Sequence, residues 1–136
     1  MAADSCCSDD DGHYLVNKIR VYGDVARAAC GEWAACNKMF DAIQAGAEVD
    51  SDLDAEMLEL RADGIYVYES GMSTPTRLKN EYFAIGTGSS YAIAAMRLGC
   101  SPVEAVSIAA EFDVGTRPPI DVFNLPEQKK RKTTSK

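Results

Sequence analysis

At 136 residues, 46% hydrophobic and 26% charged, the chain has the make-up of one globular domain able to bury a core, with no 18-residue apolar run to span a membrane. Its net charge of −7 is uneven, because residues 126–136 hold five cations against one carboxylate and leave −11 on residues 1–125, which excludes nucleic acid as the main partner. The acidic start is no secretory signal, and five cysteines without framework spacing predict a reducing, cytoplasmic setting.

Residues 1–125 are expected to form the domain, and 126–136 a basic, disordered tail. Residues 1–8 read as a short strand and Asp9-Asp10-Asp11-Gly12 as a turn. Tyr14 to Tyr22 is a strand pair or one bent strand, closed by Gly23-Asp24. Val25 to Cys30 reads as a buried strand of small residues. Glu32 to Ala45 is a helix, because Trp33, Cys36, Met39, Phe40 and Ile43 recur at three- and four-residue steps. Gly46 ends it, and residues 47–54 form an acidic loop.

Residues 55–62 fit helix or strand. Strand is favoured, because Asp63-Gly64 is a hairpin turn and Ile65-Tyr66-Val67-Tyr68 a clear strand. Residues 70–80 form a loop or short strand. Tyr82 to Gly86 reads as a buried strand that turns at Thr87-Gly88-Ser89-Ser90 into a helix running to Leu98, capped by Gly99. Ser101-Pro102-Val103-Glu104 carries the start signals of a second helix, with Val103, Val106, Ala110 and Phe112 as its apolar side. Ile120 to Leu125 is the last strand. This order suits packed α+β layers.

Several segments resemble, in order, the pattern of the proteasome β-subunit and HslV family of N-terminal-nucleophile hydrolases. They are Met1-Ala2-Ala3-Asp4-Ser5, Asn17-Lys18-Ile19, Ala28-Ala29-Cys30-Gly31 and Ala84-Ile85-Gly86-Thr87-Gly88-Ser89-Ser90-Tyr91-Ala92. Asp113-Val114-Gly115-Thr116, ahead of Ile120-Asp121-Val122-Phe123, extends the likeness. The resemblance implies an αββα sandwich of two mainly antiparallel sheets between helices. It implies threonine-type peptide hydrolysis and assembly into a homo-oligomer, ring or dimer, with an ATPase partner left open.

The same resemblance assigns roles. Asp4 would orient Lys18, Lys18 would adjust the nucleophile's environment, and Gly31 would offer a backbone N–H to an oxyanion. Ser89, Asp113 and Thr116 would arrange a terminal amine that acts as base. A free α-amine, with a pKa near ~8, is a usable base for a weak hydroxyl nucleophile. Each residue has a plainer reading too: Asp4 as a turn cap, Lys18 as a solvated strand residue, Gly31 as a helix-start glycine, Thr116 as a loop hydroxyl.

The chain departs from the family pattern at three points. The strand that carries the nucleophile is absent ahead of Ala2-Ala3, so the chain as given is expected to be inactive unless the natural chain starts upstream or another chain fills the gap. Arg117-Pro118 stands where small glycines are usual. The link after the first helix is too short for a second one, which thins one helical layer as in short phage- or prophage-type members. Cys6 and Cys7 are nucleophilic types, displaced by two and three residues beyond Asp4.

Neither cofactor nor metal is expected. Gly86-x-Gly88 lacks the remaining residues of a phosphate loop, and Cys6 to His13 offers its ligand types from one short turn that cannot converge them. The non-enzymatic alternative is an assembly or interaction module that reuses the fold.

Overall fold

A computed structural model describes residues 1–9, 12–72 and 74–126. Nine strands and three helices are found among them. The largest sheet has five antiparallel strands in sequence order: β4 (Ile19–Tyr22), β5 (Val25–Gly31), β6 (Ala55–Arg61), β7 (Gly64–Glu69) and β8 (Thr76–Leu78). Local turns set its register, with Tyr22 opposite Val25 and Arg61 opposite Gly64. The expectation of strand over residues 55–62 and of a hairpin at Asp63-Gly64 therefore holds.

Two short ladders lie apart from this sheet. β1 (Ala2–Ala3) pairs with β9 (Asp121–Val122), and β2 (Cys6–Asp9) pairs with β3 (Gly12–Leu15). The expected single strand over residues 1–8 is thus broken at Asp4-Ser5. Asp4 Oδ2 accepts from Cys6 N at 3.0 Å, a local bond that turns the chain. Ser5 N donates to Arg117 O, and Val16 N to Ser5 O. Tyr14 to Tyr22 divides likewise, its halves entering different sheets. The last strand is shorter than expected, although Met1 N and Phe123 N each donate to the other residue's carbonyl. Asp10, Asp11 and the tail from residue 127 lie outside the described residues.

Helix α1 (Trp33–Gln44) packs on one face of the five-stranded sheet. Its N-cap is Glu32, whose carboxylate accepts from Ala35 N. Cys36, Met39 and Phe40 are fully buried against Ala29, Met57 and Tyr68, and Trp33 and Ile43 lie partly buried around them. The predicted apolar face is the face that packs. The acidic loop adds Val49, 1% exposed, because its backbone is stitched to Met72 and Gly71. Beyond the helix end, the same sheet face buries Glu59 between Arg27 and Arg61, with the two guanidinium groups stacked on Tyr22 and Tyr66. A carboxylate so deeply buried needs such pairing.

Helices α2 (Ser89–Arg97) and α3 (Pro102–Phe112) pack on each other through Ala92, Ala95, Ala105 and Ala109. The capping box expected at Ser101 and Glu104 is present in both directions. Two expectations fail here. Val103 and Phe112 do not form a buried side; both are exposed, and Phe112 stacks on Tyr91 at the surface. Tyr82 to Gly86 is not a strand, because no ladder partner lies beside it among the described residues. No helix among the described residues is long and apolar enough to cross a membrane.

Candidate functional site

Between the five-stranded sheet and the α2–α3 pair runs an open cleft of about 1430 Å³. Alternation in β5 and β6 decides which side chains meet it. Ala29 and Met57 point to α1, so their neighbours Ala28, Cys30, Leu58 and Glu56 face the cleft. Met1 to Asp4 and Phe83 to Ser89 supply the opposite wall.

Asp4 and Lys18 meet at this cleft. Lys18 Nζ donates to Asp4 Oδ1 at 2.8 Å, and both side chains are mostly buried. The other carboxylate oxygen accepts from the backbone N–H of Cys6 and of Arg117, each at 3.0 Å. Asp4 thereby ties three segments together and fixes the lysine. Among the described residues lining the cleft, Lys18 is the only cationic side chain, facing Asp4, Glu32, Asp54, Glu56 and Glu69. Its charge acts favourably on the ionised forms of Cys7, Cys30, Cys36 and Asp113.

Gly31 closes β5 opposite Ala55, at φ +123° and on the cleft wall. A Cβ there would lie 2.2 Å from Asp54 O, so both conformation and space demand glycine. Asp113 and Thr116 meet in a second cluster. Asp113 Oδ2 accepts from Thr116 Oγ1 and from Thr87 Oγ1, both at 2.6 Å. These two bonds, Thr116's first, hold the Asp113 carboxyl below the usual aspartate range.

Two glycines make room for this clasp. A Cβ on Gly88 would sit 2.6 Å from Thr116 Oγ1, and one on Gly115 would sit 2.9 Å from Thr87 Oγ1. Ser89, expected in this polar shell, lines the cleft as the first residue of α2 but has no side-chain bond to Asp113; Thr87 takes that place. Thr87 could have been found from its threonine-glycine step before a helix, matching Gly115-Thr116 across the loop. The sequence does not say which hydroxyl of Thr87, Ser89 and Ser90 reaches the carboxylate.

Three of the thiols, Cys7, Cys30 and Cys36, are disfavoured as thiolates. Cys6 and Cys7 are buried, with Cys6 Sγ 3.6 Å from His13 Nδ1. Burial pushes the Cys7 thiol up, Cys36 up to about 11 and Cys30 up to about 12. Cys30 is not the core residue expected: it is only partly buried and lines the cleft. Arg117 folds back on its own loop, its Nε donating to Val114 O. Among the described residues no three of His, Cys, Asp and Glu are grouped so as to hold a metal ion.

Neither a family profile nor a curated protein matches the chain. Solved structures do. BPH from Thiobacillus denitrificans, in complex with epoxomicin, is 20% identical with a TM-score of 0.66, covering 88% of each chain. The eukaryotic HslV of Trypanosoma brucei gives the same 20% identity, TM-score of 0.66 and 88% coverage of each chain. Anbu from Yersinia bercovieri is 12% identical with a TM-score of 0.66, covering 92% of this chain and 76% of its own. Antiparallel sheets with three helices among the described residues, and the likeness to HslV and Anbu, make this a proteasome/HslV-like α+β fold.

Proposed function

We propose that the cleft is a peptide site of the threonine-peptidase type, in which Asp4, Lys18, Gly31, Ser89, Asp113 and Thr116 support a nucleophile. The observation that carries this reading is the 2.8 Å Lys18–Asp4 pair, in which a carboxylate holds the one cationic side chain among the described residues lining the cleft. A cation so held favours the ionised form of a group beside it. Gly31 would supply the oxyanion N–H, a contribution of roughly 3–4 kcal/mol where such donors are preformed. The Asp113 clasp would steady the loops that orient an attacking amine.

The 136-residue chain by itself is proposed to be inert. The thiols of Cys6 and Cys7 are buried. Fluorogenic peptides test this with the chain alone and with a version extended by a Thr-led strand. The extension is expected to turn over substrate and to bind epoxomicin, the compound found with the Thiobacillus protein. Lys18→Met in the extended form should lower turnover by roughly 10²-fold or more. An inert extended chain would overturn the reading.

The exposed Tyr91–Phe112 stack, with Val114 79% exposed two residues beyond Phe112, favours a second reading. Large exposed apolar groups of this kind mark interaction sites. On that reading the chain is an assembly module, a homo-oligomer without chemistry of its own. Anbu from Pseudomonas aeruginosa is described as a helical assembly. A phage- or prophage-type origin accounts for the single helix on the α1 face, and free thiols suit a cytoplasmic setting.

A further inference from the structure

The register of the five-stranded sheet sets one row of side chains across its α1 face. Arg20 stands opposite Arg27, Arg27 opposite Glu59, Glu59 opposite Tyr66, and Tyr66 opposite Arg77. Tyr22 and Arg61 lie two residues further along, on the same face by alternation. Helix α1 stops at this row. The Arg20 guanidinium lies 4.1 Å from the centre of the Phe40 ring, and Gln44, the last residue of the helix, accepts from Arg27. The acidic loop then leads back toward the Glu69 end of β7, where Val49 bonds to Gly71 and Met72, rather than over the row.

This end of the sheet is cationic in an acidic molecule. Residues 1–125 hold nine Lys and Arg side chains, and four of them are these arginines. Within the row one carboxylate, Glu59, opposes them, and it is buried between Arg27 and Arg61. Arg27 lies deep, at 14% exposure, whereas Arg61 is 36% exposed, Arg20 half-buried and Arg77 exposed. Each outer arginine is held in place: Arg20 donates to Asn37, Arg61 to Glu59 and Arg77 to Asp63 O. A guanidinium carries more N–H donors than these bonds use, so preorganised donors remain for an outside acceptor. Past Arg77 lies a hollow of about 490 Å³, bordered by Lys79, Asn80 and the Asp63-Gly64 turn.

We infer that this arginine row is a docking surface for an acidic, extended segment of a partner protein. Guanidinium groups pair with carboxylates through two parallel bonds, which fixes direction as well as charge. Strands about 4.8 Å apart make the row about 19 Å wide, the reach of about six extended residues. Repulsion from the acidic remainder of the molecule directs such a segment to the row. The rings of Tyr22 and Tyr66 are already occupied by Arg27 and Arg61, at 4.7 and 4.0 Å, which disfavours stacked nucleic-acid bases as the ligand. The inference stands apart from the peptidase reading, because the cleft lies on the opposite face of the sheet.

The test is fluorescence anisotropy, titrating the intact chain into the probe fluorescein-Glu-Asp-Glu-Asp-Glu-Asp-amide. Saturable binding is expected. Arg20→Gln and Arg77→Gln should each weaken it about threefold and together about tenfold. Neither residue holds Glu59, so both variants should fold, and their urea midpoints check this. Arg97→Gln removes the same charge from α2 and should change affinity by less than about twofold. Absence of saturation would overturn the docking surface. Unchanged affinity in the double variant would place binding elsewhere, as on the basic segment beyond Pro126, and would overturn it too. An equal loss in Arg97→Gln would reduce the effect to net charge and remove the row's role. A short oligothymidylate of matched charge that bound as tightly, and lost affinity through the same arginines, would overturn the choice of a peptide partner.

Discussion

The two faces of the five-stranded sheet are finished differently. On the α1 face, Met39, Phe40 and Met57 are fully buried, and the charged row beyond the helix is satisfied by Arg27, Glu59 and Arg61. On the other face, small side chains border an open cleft, and the nearest buried cluster is four alanines between α2 and α3. Large interdigitated side chains hold the first face by packing. The second is held by a few polar ties: Asp4 to Lys18, Cys6 and Arg117, and Asp113 to Thr87 and Thr116. Stability is expected to reside in one face and positioning in the other.

The largest effect should come from Phe40→Ala, which empties the α1 core. A loss of about 3–5 kcal/mol is expected in urea titration. A loss near that of a surface change would contradict the division. Next comes Gly88→Ala on the cleft side. The added methyl would meet Thr116 Oγ1 and force the clasp open, costing about 1–3 kcal/mol. Exchange measurements should localise that loss to the α2 start and the Asp113 loop, leaving α1 protected. Uniform loosening would mean that the two faces are one cooperative unit.

The smallest effect is in pH dependence. The folded Asp113 carboxyl titrates lower than in the unfolded chain, so its contribution is present above the ordinary aspartate value of ~3.9 and is lost below it, as pH falls through the lower folded pKa. The folded Cys36 thiol titrates at about 11 against an ordinary 9.0, so stability is full below 9 and declines from there toward 11. Thr116→Val should flatten the acid limb alone, and Cys36→Ala should reduce the alkaline one. Denaturant midpoints across pH would show an exchange of these effects if the assignment were reversed.

Much of the α1 face is legible in the residues. The spacing of Cys36, Met39 and Phe40, the Asp63-Gly64 turn and the Ser101–Glu104 box each act within a few residues, where geometry follows from the local chain. The candidate site is legible only in part. Asp4 pairs with Lys18 and Asp113 with Thr116, and Thr87, not Ser89, completes the clasp. Which hydroxyl faces a carboxylate depends on how the loop enters α2, and neighbouring hydroxyls look alike in a sequence. Val49 shows the same limit, an apolar residue in an acidic loop whose burial depends on distant bonds to the β7–β8 link.

Tyr82 to Ile85 marks where local reasoning stops. Its composition specifies extended backbone, because β-branched and aromatic side chains fit a pleated surface. A strand in a sheet also needs a neighbour to bond, and that lies elsewhere in the chain or outside it. The sequence by itself determined the helices, the Ser101 cap and the tight turns that pair β4 with β5 and β6 with β7, all set by contacts between near residues. The tertiary structure decided that residues 1–8 break into two ladders, that the α2–α3 pair stands off from the sheet, and that a cleft lies between them, because those outcomes depend on which surfaces remain to be covered.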